Sequence, residues 1–224
     1  EGDLAAAASH AAKIEPVGTG QEMMVRINLE CIRAEIQMAA GRGLSLAAAR
    51  SMEETLERTM GLGWMVRSHR VALEFGPGPE LEHSLDDALA TSAVRDPGED
   101  ALACYTSIAV GAALGGSAVH ARRLMERLEP YSGHWVILAN GASCRGPVAS
   151  FLSLLAHAAS MQPAAIRYRE QAERALTANR AKGLRFWLDI VPQQSERPIE
   201  RSSGLSAREA EVLALVASGR SNRE

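Results

Sequence analysis

Residues Gly146–Gly183 read GPVASFLSLLAHAASMQPAAIRYREQAERALTANRAKG. Two segments of helical periodicity stand here on either side of a break near residue 162. Leu152, Leu155 and Ala156 fall on one face of the first. Ala165, Tyr168 and Ala172 recur at i, i+3 and i+7 in the second, and Leu176 follows four positions on. Small residues let two helix backbones approach, and larger ones lock between them. Pro147 suits a first helical turn, where its missing N–H is no loss. The stretch predicts a pair of antiparallel helices, 148–159 and 163–181.

The same grammar repeats on both sides of this stretch. Segments rich in Ala, Leu, Met, Glu and Arg alternate with Gly/Pro punctuation, and aromatic residues make up only 4% of the chain. This favours helices over strands. Helices are expected from Leu4 through Ala12, from about Gln21 to Ala40, from a Ser45 cap to Met60, and over 64–75, 80–94, 99–114 and 118–128. Residues 134–144 are read as a further helix, and a short one follows Gly183 through Ile190. Gly76-Pro77-Gly78-Pro79 is a firm stop, because proline cannot donate and glycine is flexible. About ten helices joined by short loops predict an all-α fold, an array of helical hairpins over residues 1–191. The breaks are irregularly spaced, and a compact, non-repetitive bundle is the alternative.

Composition narrows the function classes. The 224 residues carry a net charge of −3, which does not suit a chain that wraps nucleic acid along its length. No stretch has the length of apolar residues that a membrane span needs, and no basic-then-apolar leader is present. Cys31, Cys104 and Cys144 are odd in number and far apart, which fits a reducing, cytoplasmic setting with the thiols as small core residues. The chain opens Glu1-Gly2-Asp3 without Met, and both ends read as cut points in a longer polypeptide.

The segment 146–183 resembles a tetratricopeptide repeat. It departs from that pattern at Ser153 and Ser160, where the repeat usually has glycine. It is also similar to the helical region that precedes the DNA-binding domain in large bacterial regulators with an ATPase-like core. The resemblance implies a solenoid of helical hairpins.

Residues 192–204, PQQSERPIERSSG, lack a helical apolar period and are expected to be a linker. Beyond them the pattern tightens: LSAREAEVLALVASGRSNRE, residues 205–224. Ser206 and Glu209 form a capping box, in which each side chain satisfies an amide at the other's end. Val212, Leu213, Leu215 and Val216 make an apolar stripe, and Gly219 is placed to end the helix in the left-handed conformation. Ser221 and Glu224 make a second capping box. These residues resemble the first half of a LuxR-type helix-turn-helix domain.

That resemblance implies a DNA-binding transcription regulator. The recognition helix of the family follows the matched stretch, so the helix-turn-helix here is incomplete and DNA is expected as a partner of the full-length parent rather than of this fragment alone. Ser221, Asn222 and Arg223 are candidates for phosphate contact, because helix N-termini attract anions and arginine donates to phosphate. Ser206, Glu209, Gly219 and Glu224 are expected to be structural caps. From Ser195 onward five arginines face five glutamates, which is not a basic footprint.

Motifs for catalysis are absent. No phosphate loop, zinc-protease or nucleophile-elbow pattern occurs, so no enzyme is expected. No cofactor is expected in this chain, and a nucleotide site would lie upstream of residue 1. His10, His69, His83, His120, His134 and His157 share no metal-ligand spacing and are read as surface or interface residues. Trp64, Trp135 and Trp187 are read as packing anchors between hairpins. Asp86-Asp87 and Glu53-Glu54 are read as surface carboxylates, and Cys144 beside Arg145 as an inert thiol. The expected function is that of a regulator fragment, whose helical array senses an effector, binds a protein partner or self-associates. The alternative is a protein-binding helical scaffold with no DNA role; no membrane association is expected.

Overall fold

Capping residues set several of the helix ends. The computed structural model describes residues 4–13, 29, 32–33, 45–94, 101–138 and 143–195. Helix α1 spans Leu4–Lys13, and α2 spans Leu46–Met60. The Ser45 side chain accepts the Ala48 N–H at 3.2 Å, the capping bond that the sequence predicts. Helix α3 is Trp64–Phe75, α4 Pro79–Val94, α5 Ala101–Leu114 and α6 Ala118–Leu128. Gly116 closes α5 with φ at 69°; its N–H meets Ala113 O, and the next N–H, from Ser117, meets Ala112 O. That is the paired bonding of a Schellman end, for which glycine has no steric penalty.

After α6 the chain departs from the predicted helix over 134–144. A 3₁₀ turn at Glu129–Tyr131 leads to strand β1, Trp135–Leu138, paired antiparallel with β2, Ser143–Pro147. The local residues account for the correction. Trp135-Val136-Ile137-Leu138 is an aromatic and β-branched run, and Asn140-Gly141 is a strong hairpin signal. Pro147 ends the strand and precedes α7, Val148–Ala158, rather than lying in that helix's first turn. Helix α8 is Gln162–Ala178, and a 3₁₀ turn at Lys182–Arg185 leads into α9, Phe186–Ser195.

The chain is thus mostly helical, with two short strands among the described residues. Two helices are buried nearly all round. In α5 every residue from Thr106 to Ala113 is buried, and in α7 every residue from Val148 to Ala156. A helix apolar on all sides must be packed on all sides, and α5 touches α3, α4, α6 and α7. The principal helix contacts join next or next-but-one neighbours: α7 with α8, α3 with α5, α3 with α4, α2 with α3, α5 with α7. Close approach depends on Gly111 of α5. A Cβ there would lie 2.7 Å from the Ser68 carbonyl carbon and 2.8 Å from the His69 nitrogen, both backbone atoms of α3. The predicted stripe of α8, Ala165, Tyr168, Ala172 and Leu176, is its buried face.

The chain divides into two compact units, Glu1–Gln194 and Ser195–Glu224. Helix α9 continues through Ser195, so residues 192–195, expected as the start of the linker, are helical. Most of the helix expected over 21–40, and the terminal stretch 205–224, lie outside the described residues.

Candidate functional site

The most unusual feature of the interior is a buried arginine. The β1–β2 register skips one residue: Val136 pairs with Gly146 and Ile137 with Cys144, leaving Arg145 as the extra residue of a bulge. A bulge re-aims its side chain, and Gly146 takes φ of 112° to permit it. Arg145 is 9% exposed. Its Nη1 donates to Ser107 Oγ of α5 at 2.7 Å, and that hydroxyl donates in turn to Ala103 O at 2.8 Å. The guanidinium carbon lies 5.1 Å from the Trp187 ring centre and 5.7 Å from that of Phe151. The two rings are 4.9 Å apart, and the Phe186 ring lies tilted against Trp187 at 4.7 Å. A desolvated cation over aromatic faces gains ~2 kcal/mol, which offsets part of the cost of burying the charge.

His69 of α3 belongs to the same region. Burial pushes its pKa down to about 3, and the charge of Arg145 acts in the same direction. The imidazole is therefore neutral in the folded protein. Ser68 Oγ and Trp187 Nε1 are buried with no hydrogen-bond partner among the described residues. The centre joins α3, α5, β2, α7 and α9. Its arrangement fixes α9: Trp187, the α9 residue that meets Arg145, is fully buried.

On the surface, α9 is held by a second arginine. Arg169 of α8 donates from Nη1 to Leu188 O at 2.7 Å and from Nη2 to Asp189 Oδ1 at 2.9 Å. Glu173 pairs with Arg169 at 3.4 Å and with Arg185 at 3.1 Å.

Compared with known proteins, the chain matches no family model, no curated protein and no solved structure.

Two further polar clusters lie on α2, α3, α4 and α6. His120 is 2% exposed at the start of α6. Its Nδ1 lies 3.0 Å from Ser117 Oγ and 2.8 Å from Glu82 Oε2, and its Nε2 lies 3.0 Å from Asp86 Oδ1. The hydrogen bond to His120, and then Arg123, hold the Asp86 carboxyl below its usual range. Between α2 and α3, Arg50, Glu53, Glu54, Glu57, Arg58, Arg70 and Glu74 line an open groove of about 750 Å³. Glu53 accepts from Arg67 at 2.9 Å and from Arg70 at 2.5 Å, and Arg50 and Arg70 both donate to Glu74.

The terminal candidates Ser206, Glu209, Gly219, Ser221, Asn222, Arg223 and Glu224 all lie outside the described residues. His69 and His120 are buried rather than at the surface: one is packed neutral in the core, the other enclosed by a hydroxyl and two carboxylates. Glu53 is likewise a half-buried partner of two arginines rather than a plain surface acid. Asp86 and Glu54 are exposed. Trp64 and Trp187 are buried anchors and Trp135 is half-buried, while Cys104 is a core residue. No group of three or more His, Cys, Asp or Glu residues is placed to hold a metal, and no helix is long and apolar enough to cross a membrane, among the described residues. Sequence reasoning missed Arg145 and Arg169. No local pattern marks the bulge at Arg145, and Arg169 is one of several arginines in a helix rich in charge.

Proposed function

We propose that the helical unit is the regulatory arm of a DNA-binding transcription regulator, and that the segment from Leu205 is the start of its output domain. One observation carries this reading: the resemblance of LSAREAEVLALVASGRSNRE to the opening of a LuxR-type helix-turn-helix, with both capping boxes and the glycine at their expected offsets. Helix contacts limited mainly to next and next-but-one neighbours favour a hairpin array in the tetratricopeptide style, the kind of surface that binds a protein partner or a second copy of itself. Helix α9 ends at Ser195, where the second compact unit begins, so α9 is the covalent route from array to output. In this mechanism a partner alters the packing of the array, α9 shifts, and the presentation of paired DNA-binding heads changes.

The test is selection from random DNA. A protein that carries these 224 residues and continues through the rest of the family domain is expected to enrich a palindromic operator, while residues 1–224 alone give only weak, salt-sensitive binding. A folded, extended protein that enriches no sequence contradicts the reading. So does sequence-specific, sub-micromolar binding by residues 1–224.

A further inference from the structure

Helix α9 contains a proline at its seventh position, Pro192. An α-helical N–H at residue i donates to the carbonyl of i−4, and proline has no N–H. The carbonyl that loses its donor is that of Leu188, a residue only 3% exposed. An unpaired backbone carbonyl in such a place is costly. Arg169 supplies the missing donor from the neighbouring helix, with Nη1 2.7 Å from Leu188 O. The rest of the guanidinium is fixed by carboxylates on both helices, Asp189 at 2.9 Å and Glu173 at 3.4 Å. Arg185 braces the same two acids, at 3.1 Å from Glu173 and 3.7 Å from Asp189.

We infer that Arg169 and Pro192 form a latch: Arg169 replaces, from outside, the hydrogen bond that the proline deletes from α9. The last turn of α9 then depends on α8 for its continuity. With Arg169 in place the helix runs to Ser195. With Arg169 withdrawn, Leu188 O is left without a donor, the turn beyond it unwinds, and the tether to the terminal segment lengthens. Only this last consequence rests on the regulator reading; the latch itself does not.

The experiment is amide hydrogen exchange of the 224-residue protein, read separately for residues 189–195 and for the α5 and α7 core. Arg169→Gln is expected to speed exchange at 189–195 about tenfold, the change in opening constant that ~1.4 kcal/mol produces, with the core unchanged. Pro192→Ala restores the internal donor. It is expected to slow exchange at 189–195 by itself and to reduce the effect of Arg169→Gln to roughly threefold or less, since only the ion pairs then remain. Equal effects of Arg169→Gln in both backgrounds would show that Arg169 acts through its ion pairs alone and would overturn the latch. So would a Pro192→Ala protein whose α9 exchange is not slowed, a readout that leaves Arg169 untouched. No DNA enters this measurement, so its failure is distinct from failure of the regulator reading.

Discussion

Arg145 and Arg169 both reach α9 from earlier elements, one from inside the molecule and one from its surface. Arg145 is delivered by a strand bulge into a nest of Ser107, Phe151 and Trp187. Arg169 lies about one-third exposed on α8 and works through Leu188 O, Asp189 and Glu173. The difference is one of environment. In a desolvated site a charge cannot be removed without leaving its neighbours poorly satisfied. At the surface, water replaces much of what a lost ion pair supplied. The inner arginine therefore holds the fold together, and the outer one sets the local stability of the last turn.

Breaking the inner contact is expected to have the largest effect. Arg145→Ala removes the guanidinium from beside the Phe151 and Trp187 rings and leaves a cavity, and urea unfolding should show a loss of ~3 kcal/mol or more. Arg145→Met, which fills the space without charge, should lose much less. His69 gives the inner region a pH signature. Its folded pKa is about 3 against an ordinary 6.5, so the unfolded chain takes up the proton first as pH falls. Stability is then full above pH 6.5 and declines toward pH 3, by roughly 2 kcal/mol at pH 5. His69→Gln should flatten that part of the urea-measured pH profile, and a slope unchanged by the substitution would place its origin elsewhere.

Much of this fold was legible in the sequence where capping residues write it down. Ser45, Gly61, Gly76 and Gly116 end or begin helices within a residue or two of the predicted places. The periodic stripe of α8 faces the core as its spacing requires. The hairpin was missed because helical context on both sides outweighed a short β-type run, although Asn140-Gly141 pointed to a turn. Arg145 was illegible for a different reason. A residue's inward aim at a bulge depends on which residue the partner strand skips, and no local pattern states that register. The buried state of His120 is likewise tertiary, since it depends on Glu82 and Asp86 of another helix.

Smaller effects sharpen the contrast between core and surface. His120→Ala strips two carboxylates and Ser117 of their common partner and should lower stability by ~1–2 kcal/mol in thermal unfolding. At the ends of α7 and α8, Ser160 and Arg180 take φ of 59° and 53°, and both ends carry the paired bonding that Gly116 gives α5. Ser160→Gly and Arg180→Gly should each raise stability by ~0.5–1 kcal/mol, as relief of a left-handed non-glycine residue. A fall in thermal midpoint for either would mean that its side chain contributes more than its backbone strain costs.

The most direct test of the division between the two arginines is residue-level hydrogen exchange along α9 in the wild type, Arg145→Ala and Arg169→Gln. The account predicts that Arg145→Ala speeds exchange along all of α9 and into α5, while Arg169→Gln does so only beyond Leu188. Identical exchange maps for the two variants would contradict it.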